Sequence, residues 1–271
     1  MKFAFATCVQ LGLSCIDEIY NIGGKLDLLI TLLDNKAVNK SGRVYLDKFA
    51  RENKIELFKT SNINDREVIE AIQKNNIDWL FIIGWSQIAK AELLKTPKNG
   101  CIGMHPTLLP VGRGRAAIPW TIIKGLAETG VTMFKLDEGI DTGDILAQEK
   151  IKVMHNEDAT TLYEKVNLAH IKLIRDMWSS IVSDNLVLKK QDETKATCWE
   201  ERKPKDGEIF ACMTMAEADR IVRAVTHPYP GAFYKTDGKT YRIWSAISSK
   251  VEGLIKLRDG YLSPTDFEIE N

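Results

Sequence analysis

A chain of 271 residues is long enough for one large domain with a small one attached. Lysine plus arginine equals aspartate plus glutamate at 37 each, so no basic surplus marks a chain built to grip nucleic acid through its phosphates. No apolar run reaches transmembrane length, and five scattered cysteines, odd in number and without metal-ligand spacing, read as reduced thiols of a cytoplasmic protein.

Taken in order, short apolar runs alternate with helical patterns. Lys2–Thr7 predicts a buried strand and Leu13–Tyr20 a helix that stops at Gly23-Gly24. Leu26–Leu33 and Ile55–Phe58 predict strands, with a helix over Tyr45–Asn53 between them. Asn64 followed by Glu67 has the form of a capping box opening a helix over Asp65–Asn75. Trp79–Ile83 and Cys101–His105 are continuous apolar runs, the mark of strands buried on both faces. A helical piece follows, then strands over Val131–Leu136 and Ile145–Lys152, then a long helix over Ala159–Val182 with its apolar stripe at Leu162, Val166, Ala169, Leu173, Met177 and Ile181. The alternation predicts an α/β fold: a Rossmann-like, mostly parallel sheet with helices on both faces. Residues 1–190 make up this domain. The polar stretch 191–207, with turn chemistry at Lys203–Gly207, predicts a linker. Residues 208–271 predict a small, mainly β C-terminal domain: a helix over Met215–Ala224, then short strands over Ala232–Thr236, Thr240–Ser245 and Leu254–Leu257.

In such sheets ligands bind at the carboxyl ends of the strands. That rule selects Thr7–Gly12, Gly84–Gln87, His105–Arg115 and Asp137–Asp144. The first tip has a single glycine, so it is not a dinucleotide fingerprint. Thr7, Cys8 and Gln10 there are candidates for a second substrate's side; nothing near Cys8 would activate a thiol. His105 at one tip and Asp141 at another are material for proton transfer if the two meet in space. Arg113 and Arg115 stand beside the histidine, where a guanidinium suits phosphate. Trp85 reads equally as a pocket wall or as core. His155 and His170 read as surface or helix positions, and His227, between prolines, as structural. No metal site is predicted.

His105-Pro106-Thr107-Leu108-Leu109-Pro110, Arg113-Gly114 and Asp141-Thr142-Gly143-Asp144 together resemble the formyltransferases that use N10-formyltetrahydrofolate. Arg202–Ile209 and Arg223–Phe233 resemble the tail of the sugar and tRNA branches, and Pro-Tyr-Pro-Gly-Ala-Phe looks most like the nucleotide-sugar branch. The resemblance implies an enzyme with His105 and Asp141 as catalytic residues. It places the folate against Thr107, Leu108, Leu109, Pro110 (with a cis Leu109–Pro110 bond), Arg115, Asp137, Glu138, Gly139, Ile140 and the backbone of Gln87, Ile88 and Ala89. Gly103 stands where the family pattern has asparagine, so Ser86, Gln87 or a water would replace that donor. A protonated His105, held so by Asp141, is the expected donor to the developing oxyanion. The expected acceptor is the amine of a nucleotide-linked amino-deoxy sugar in surface-glycan biosynthesis, with no nucleic acid and no membrane as partner, and the β appendage offers a surface for a homodimer. Methionyl-tRNA formyltransferase, or a folate- or nucleotide-binding module without catalysis, are the alternatives.

Overall fold

The computed structural model describes residues 1–36 and 42–270. Contacts gather the chain into two compact units that interleave in sequence: 1–113, 130–150 and 166–198 in one, and 114–129, 151–165 and 199–271 in the other. The linear division at 190 and 208 therefore differs from the spatial one, and 191–198 lies with the first unit. Composition registers polarity, not neighbours in space.

The strands in chain order are β1 (Phe3–Ala6), β2 (Leu28–Leu32), β3 (Glu56–Thr60), β4 (Trp79–Ile82), β5 (Gly100–His105), the two-residue β6 (Arg113–Gly114), β7 (Glu128–Lys135) and β8 (Ile145–Lys152). Seven of them form one sheet in the order β3-β2-β1-β4-β5-β7-β8. The first five in that order run parallel. Every residue of β1, β2, β4 and β5 is buried, as continuous apolar runs require when helices cover both faces. The helices are α1 (Gln10–Asn21), α2 (Asp47–Asn53), α3 (Arg66–Lys74), α4 (Ala91–Lys95), α5 (Ala117–Ile123) and α6 (Ala159–Val182). On α6 the stripe carries Trp178 in the core where Met177 is expected; its indole packs on Phe3 at 4.8 Å and Phe81 at 6.2 Å between ring centroids.

The mostly parallel sheet is borne out, with one antiparallel pairing whose place the sequence does not give, and one local expectation is corrected. The sheet is mixed: β7 runs antiparallel to β5, pairing Thr132 with His105 and Lys135 with Ile102. The chain therefore leaves β7 near the start of β5, and the Asp137–Asp144 loop reaches the His105 end by folding back. A period-two pattern carries no information on direction, so the sequence cannot distinguish the two. Asn64 does not cap α3. Asp65 is the N-cap, and Asn64 instead latches the loop after β4, donating from Nδ2 to Ile88 O at 2.9 Å and accepting from Lys90 N–H at 2.7 Å.

In the second unit β10 (Ala232–Thr236), β11 (Lys239–Ser249), β12 (Ile255–Leu257) and β13 (Gly260–Glu270) make an antiparallel sheet in the order β10-β11-β13-β12; a two-residue strand, β9 (Cys198–Trp199), precedes them. α7 (Met215–Ala224) opens with a capping box between Thr214 and Glu217 and buries Ala218 and Val222 among Ile209, Ala232, Ile243, Ile255, Leu257 and Leu262. β13 is not predicted from sequence, because Pro264, Asp266, Glu268 and Glu270 give it the composition of a loop. His227 stacks on Trp244, 5.2 Å apart and 3° from parallel, a structural role. Among the described residues no helix is long and apolar enough to cross a membrane.

His170, read as a surface or helix position, is 1% exposed on α6 and donates from Nδ1 to Val166 O at 2.7 Å. Burial pulls its pKa down to about 4, outweighing the bond to Val166. Its ordinary value is about 6.5, so the unfolded chain binds the extra proton between those two values. Stability should be complete above about pH 6.5 and fall as pH drops toward 4. Denaturation across that window should show wild type losing roughly 3 kcal/mol more than His170→Gln; equal losses would contradict it.

Candidate active site

His105 ends β5 with its ring 8% exposed. Its Nε2 lies 2.8 Å from the carbonyl of Gly112. A carbonyl can only accept, so Nε2 carries the proton and Nδ1 is left for other partners. Asp141 Oδ2 stands 3.6 Å from that Nδ1, beyond hydrogen-bond length. In the neutral ring two acceptors would then face one another. A proton on Nδ1, or a donor from a bound molecule, is what such a gap accommodates. Asp141 holds this position with φ of 54°, a left-handed conformation that aspartate tolerates better than most residues. Gly143 allows the loop to close: a Cβ there would lie 1.7 Å from the Lys135 carbonyl.

The loop after His105 is held from below by one buried hydroxyl. Thr132 Oγ1 on β7 donates to Thr107 O at 2.7 Å, and accepts from Leu109 N–H at 3.0 Å and Gln148 Nε2 at 2.9 Å. Gln148 Nε2 also donates to Leu109 O at 2.9 Å. All of these groups are satisfied by one another, so removing the hydroxyl would leave buried backbone groups unpaired at about 1–3 kcal/mol each. Leu109–Pro110 is cis. Thr107 Oγ1 is itself buried with no hydrogen-bond partner. Neither Thr132 nor Gln148 stands out in sequence, since each reads as an ordinary strand residue.

The space beside Gly103 is filled. A Cβ there would lie 2.7 Å from Leu136 Cδ2, so an apolar side chain occupies the room an asparagine would need. Gln87 does not stand in for it. Its Oε1 accepts from Ile63 N–H and Trp85 Nε1, and its Nε2 donates to Ser61 O, so the side chain is used in holding its own loop. Trp85 is partly buried and packs against the core clusters around β1 and β4.

Other expected residues divide by exposure. Ile88 and Ile140 are each 59% exposed and Val111 is 41% exposed, large apolar side chains left open after β4, β7 and β5. Ala89 is half-buried, and Leu108 and Pro110 are half-buried in their loop. Asp137 Oδ1 accepts from Gly139 N–H and Thr142 Oγ1, an Asx turn that shapes the loop, and Glu138 pairs with Lys95 at 3.1 Å. Three residues expected on a second substrate's side are buried or engaged by the protein itself. Thr7 and Cys8 are fully buried in the core; only Gln10 is exposed there. Arg113 is 5% exposed and spends its guanidinium on the protein: Nε and Nη2 donate to Gln191 Oε1, and Nη1 and Nη2 to the Glu193 carboxylate. That carboxylate raises the Arg113 pKa further, and Arg113 holds Glu193 below the usual carboxylate range. Arg115 belongs to the second unit, half-exposed and paired with Glu201 at 2.6 Å.

Residues 32–177 match the Formyl transferase family model, and residues 202–259 match the model of the Formyl transferase C-terminal domain. The chain belongs to the formyl transferase family. It is 29% identical over 248 residues to the methionyl-tRNA formyltransferase of Agathobacter rectalis, covering 91% of this chain and 80% of that protein. It is 30% identical over 244 residues to the bifunctional polymyxin resistance protein ArnA of Wigglesworthia glossinidia brevipalpis, covering 90% of this chain and 37% of that one. In fold it is similar to WlaRD, a sugar 3N-formyl transferase crystallised with dTDP and 5-N-formyl-THF, with a TM-score of 0.71 at 20% identity over 99% of this chain and 96% of that one.

The filled space at Gly103 gives a direct expectation. Gly103→Asn alone should lower the unfolding midpoint, because Leu136 must move, by the 1–3 kcal/mol typical of overpacking at about that size. Gly103→Asn with Leu136→Ala should recover most of the loss. Equal midpoints for the single and double variants would show that Leu136 does not fill the site.

Proposed function

We propose that this formyltransferase moves a formyl group from N10-formyltetrahydrofolate to the amine of a nucleotide-linked amino-deoxy sugar, in the making of a surface glycan. The pairing of His105 and Asp141 across 3.6 Å supports the chemistry. The acceptor rests on charge. Residues 208–271 carry eight Lys and Arg against nine Asp and Glu, so this part of the chain offers no cationic surplus for the phosphates of a tRNA. Methionyl-tRNA is the second reading, favoured by the sequence relative of that name.

The residues fit a folate. The open apolar side chains of Ile88, Val111 and Ile140 suit an aromatic ring system, the backbone of 137–140 can read an amide-like edge, and the unpartnered Thr107 Oγ1 lies in the adjoining loop. When bound, the folate supplies the formyl carbon as electrophile. Gly112 holds the His105 ring by Nε2, so Nδ1 is the ring atom presented to the reaction. Asp141 Oδ2 lies 3.6 Å from Nδ1, and an Nδ1–H there donates to the oxygen that gains charge as the amine attacks. The new bond joins the acceptor nitrogen to the formyl carbon. Asp141 takes the proton lost by the amine and gives it to the folate nitrogen as the bond from that nitrogen to the formyl carbon breaks, so carboxylate and imidazole end as they began. With Leu136 beside Gly103, that position offers no side-chain amide, and the task falls to His105.

A mass-spectrometric transfer assay tests both parts. N10-formyltetrahydrofolate with a panel of UDP-, dTDP- and GDP-linked amino sugars should give a formyl mass gain on one of them and none on methionyl-tRNA. His105→Asn and Asp141→Asn should each lower turnover by about 10²–10⁴-fold. Gain on tRNA alone would move the chain to the second reading, and near-full turnover by either variant would remove the mechanism.

A further inference from the structure

Composition marks 191–207 as a linker, but its first residues are tied to both members of the catalytic pair. Gln191 Nε2 donates to Asp141 O and to Gly143 O, both at 2.8 Å. These carbonyls flank Thr142, in the turn that holds Asp141 at its left-handed φ. Gln191 Oε1 accepts from Arg113 Nε at 3.1 Å and Nη2 at 2.8 Å. Glu193 fixes the other side of the same guanidinium at 2.8 and 2.6 Å. Four residues on, Thr197 accepts from Gly112 N–H at Oγ1 (2.9 Å) and from Arg113 N–H at its carbonyl (2.9 Å), and donates its N–H to Pro110 O at 3.2 Å. Gly112 is the residue whose carbonyl receives His105 Nε2–H.

We propose that Gln191 is a positioning residue for the transfer reaction: it sets the backbone of Asp141 and so the gap to His105 Nδ1, with Arg113 and Glu193 as its anchor. This rests on His105 and Asp141 being the reacting pair. The amide is the one side chain suited to the place. It must donate to two carbonyls and accept from a guanidinium at once, and glutamate, lysine or methionine can each do only part of that. Arg113 cannot slide, because its donors are taken on both sides and its own backbone is paired to Thr197. The 191–197 strap therefore fixes His105 through Gly112 and Asp141 through Gln191. A misplacement of about 1 Å at a reacting group can cost about 10²-fold in rate.

Gln191→Glu separates positioning from mere stability. It keeps an acceptor for Arg113, and so the anchor, but loses both donors and sets a carboxylate against the Asp141 and Gly143 carbonyls. In the full chain without ligand, amide hydrogen exchange over 137–144 should speed up at least tenfold, while exchange in β11 and β13 stays as in wild type. Unchanged exchange over 137–144 would overturn the proposal whatever the acceptor is. With N10-formyltetrahydrofolate and the amino-sugar nucleotides of the panel above, turnover should fall about 10²-fold while the KM for the folate holds within about twofold. In the Asp141→Asn background the same substitution should change turnover by less than about twofold, since Gln191 acts through Asp141. Effects that multiply in the double variant would show that Gln191 acts elsewhere, and would overturn it too.

Discussion

The bond from His105 Nε2 to the Gly112 carbonyl decides what the rest of the site can do. It fixes which ring nitrogen carries a permanent proton, and turns the other toward Asp141. Everything that holds Gly112 in place thereby holds the His105 ring. The loop is gripped on two sides: Thr132 and Gln148 bind the backbone of Thr107 and Leu109, and Thr197 binds that of Pro110, Gly112 and Arg113. A histidine at a strand end would otherwise be free to turn. Here its orientation is set by backbone that is itself buried and paired, which is the preorganisation that electrostatic catalysis needs.

The antiparallel direction of β7 gives this arrangement its shape. A parallel strand would have delivered the Asp137–Asp144 loop straight to the end of β5. Instead the chain leaves β7 opposite Ile102 and must fold back to bring Asp141 to His105. A returning loop needs its own fastenings, and the structure supplies them: glycine at 143 for the close approach to Lys135, the Asx turn at Asp137, and the Gln191 amide across Asp141 and Gly143. Arg113, buried and bonded to both Gln191 and Glu193, transmits the position of one loop to the other.

Much of the fold is legible in the sequence, because burial leaves a simple mark. β8, α6, α7 and β10 fall where the patterns of Ile145–Lys152, Ala159–Val182, Met215–Ala224 and Ala232–Thr236 place them. β13 is hidden by its acidic, proline-containing sequence, and strand direction has no local signature at all. At the site, His105 and Asp141 are legible from their motif and are brought together. Gln191, Thr132 and Gln148 are not, since hydrogen bonds between distant segments leave no trace in spacing. Arg113 meets the same limit. A guanidinium in a glycine-rich loop looks like a ligand contact until the acceptors that consume it, Gln191 and Glu193, are found some eighty residues later. Thr7 and Cys8 are fully buried, and local sequence does not register whether a strand tip is covered.

The measurement that bears most directly on this account is the protonation state of the His105 ring, read from ring-nitrogen NMR shifts of the full chain labelled with ¹⁵N-histidine and assigned with His105→Asn. The account predicts a neutral ring with its proton on Nε2, bonded to the Gly112 carbonyl, and Nδ1 facing Asp141. A neutral ring with the proton on Nδ1 and a bare Nε2 would contradict it, since Gly112 would then have no donor and the reacting nitrogen would be the other one.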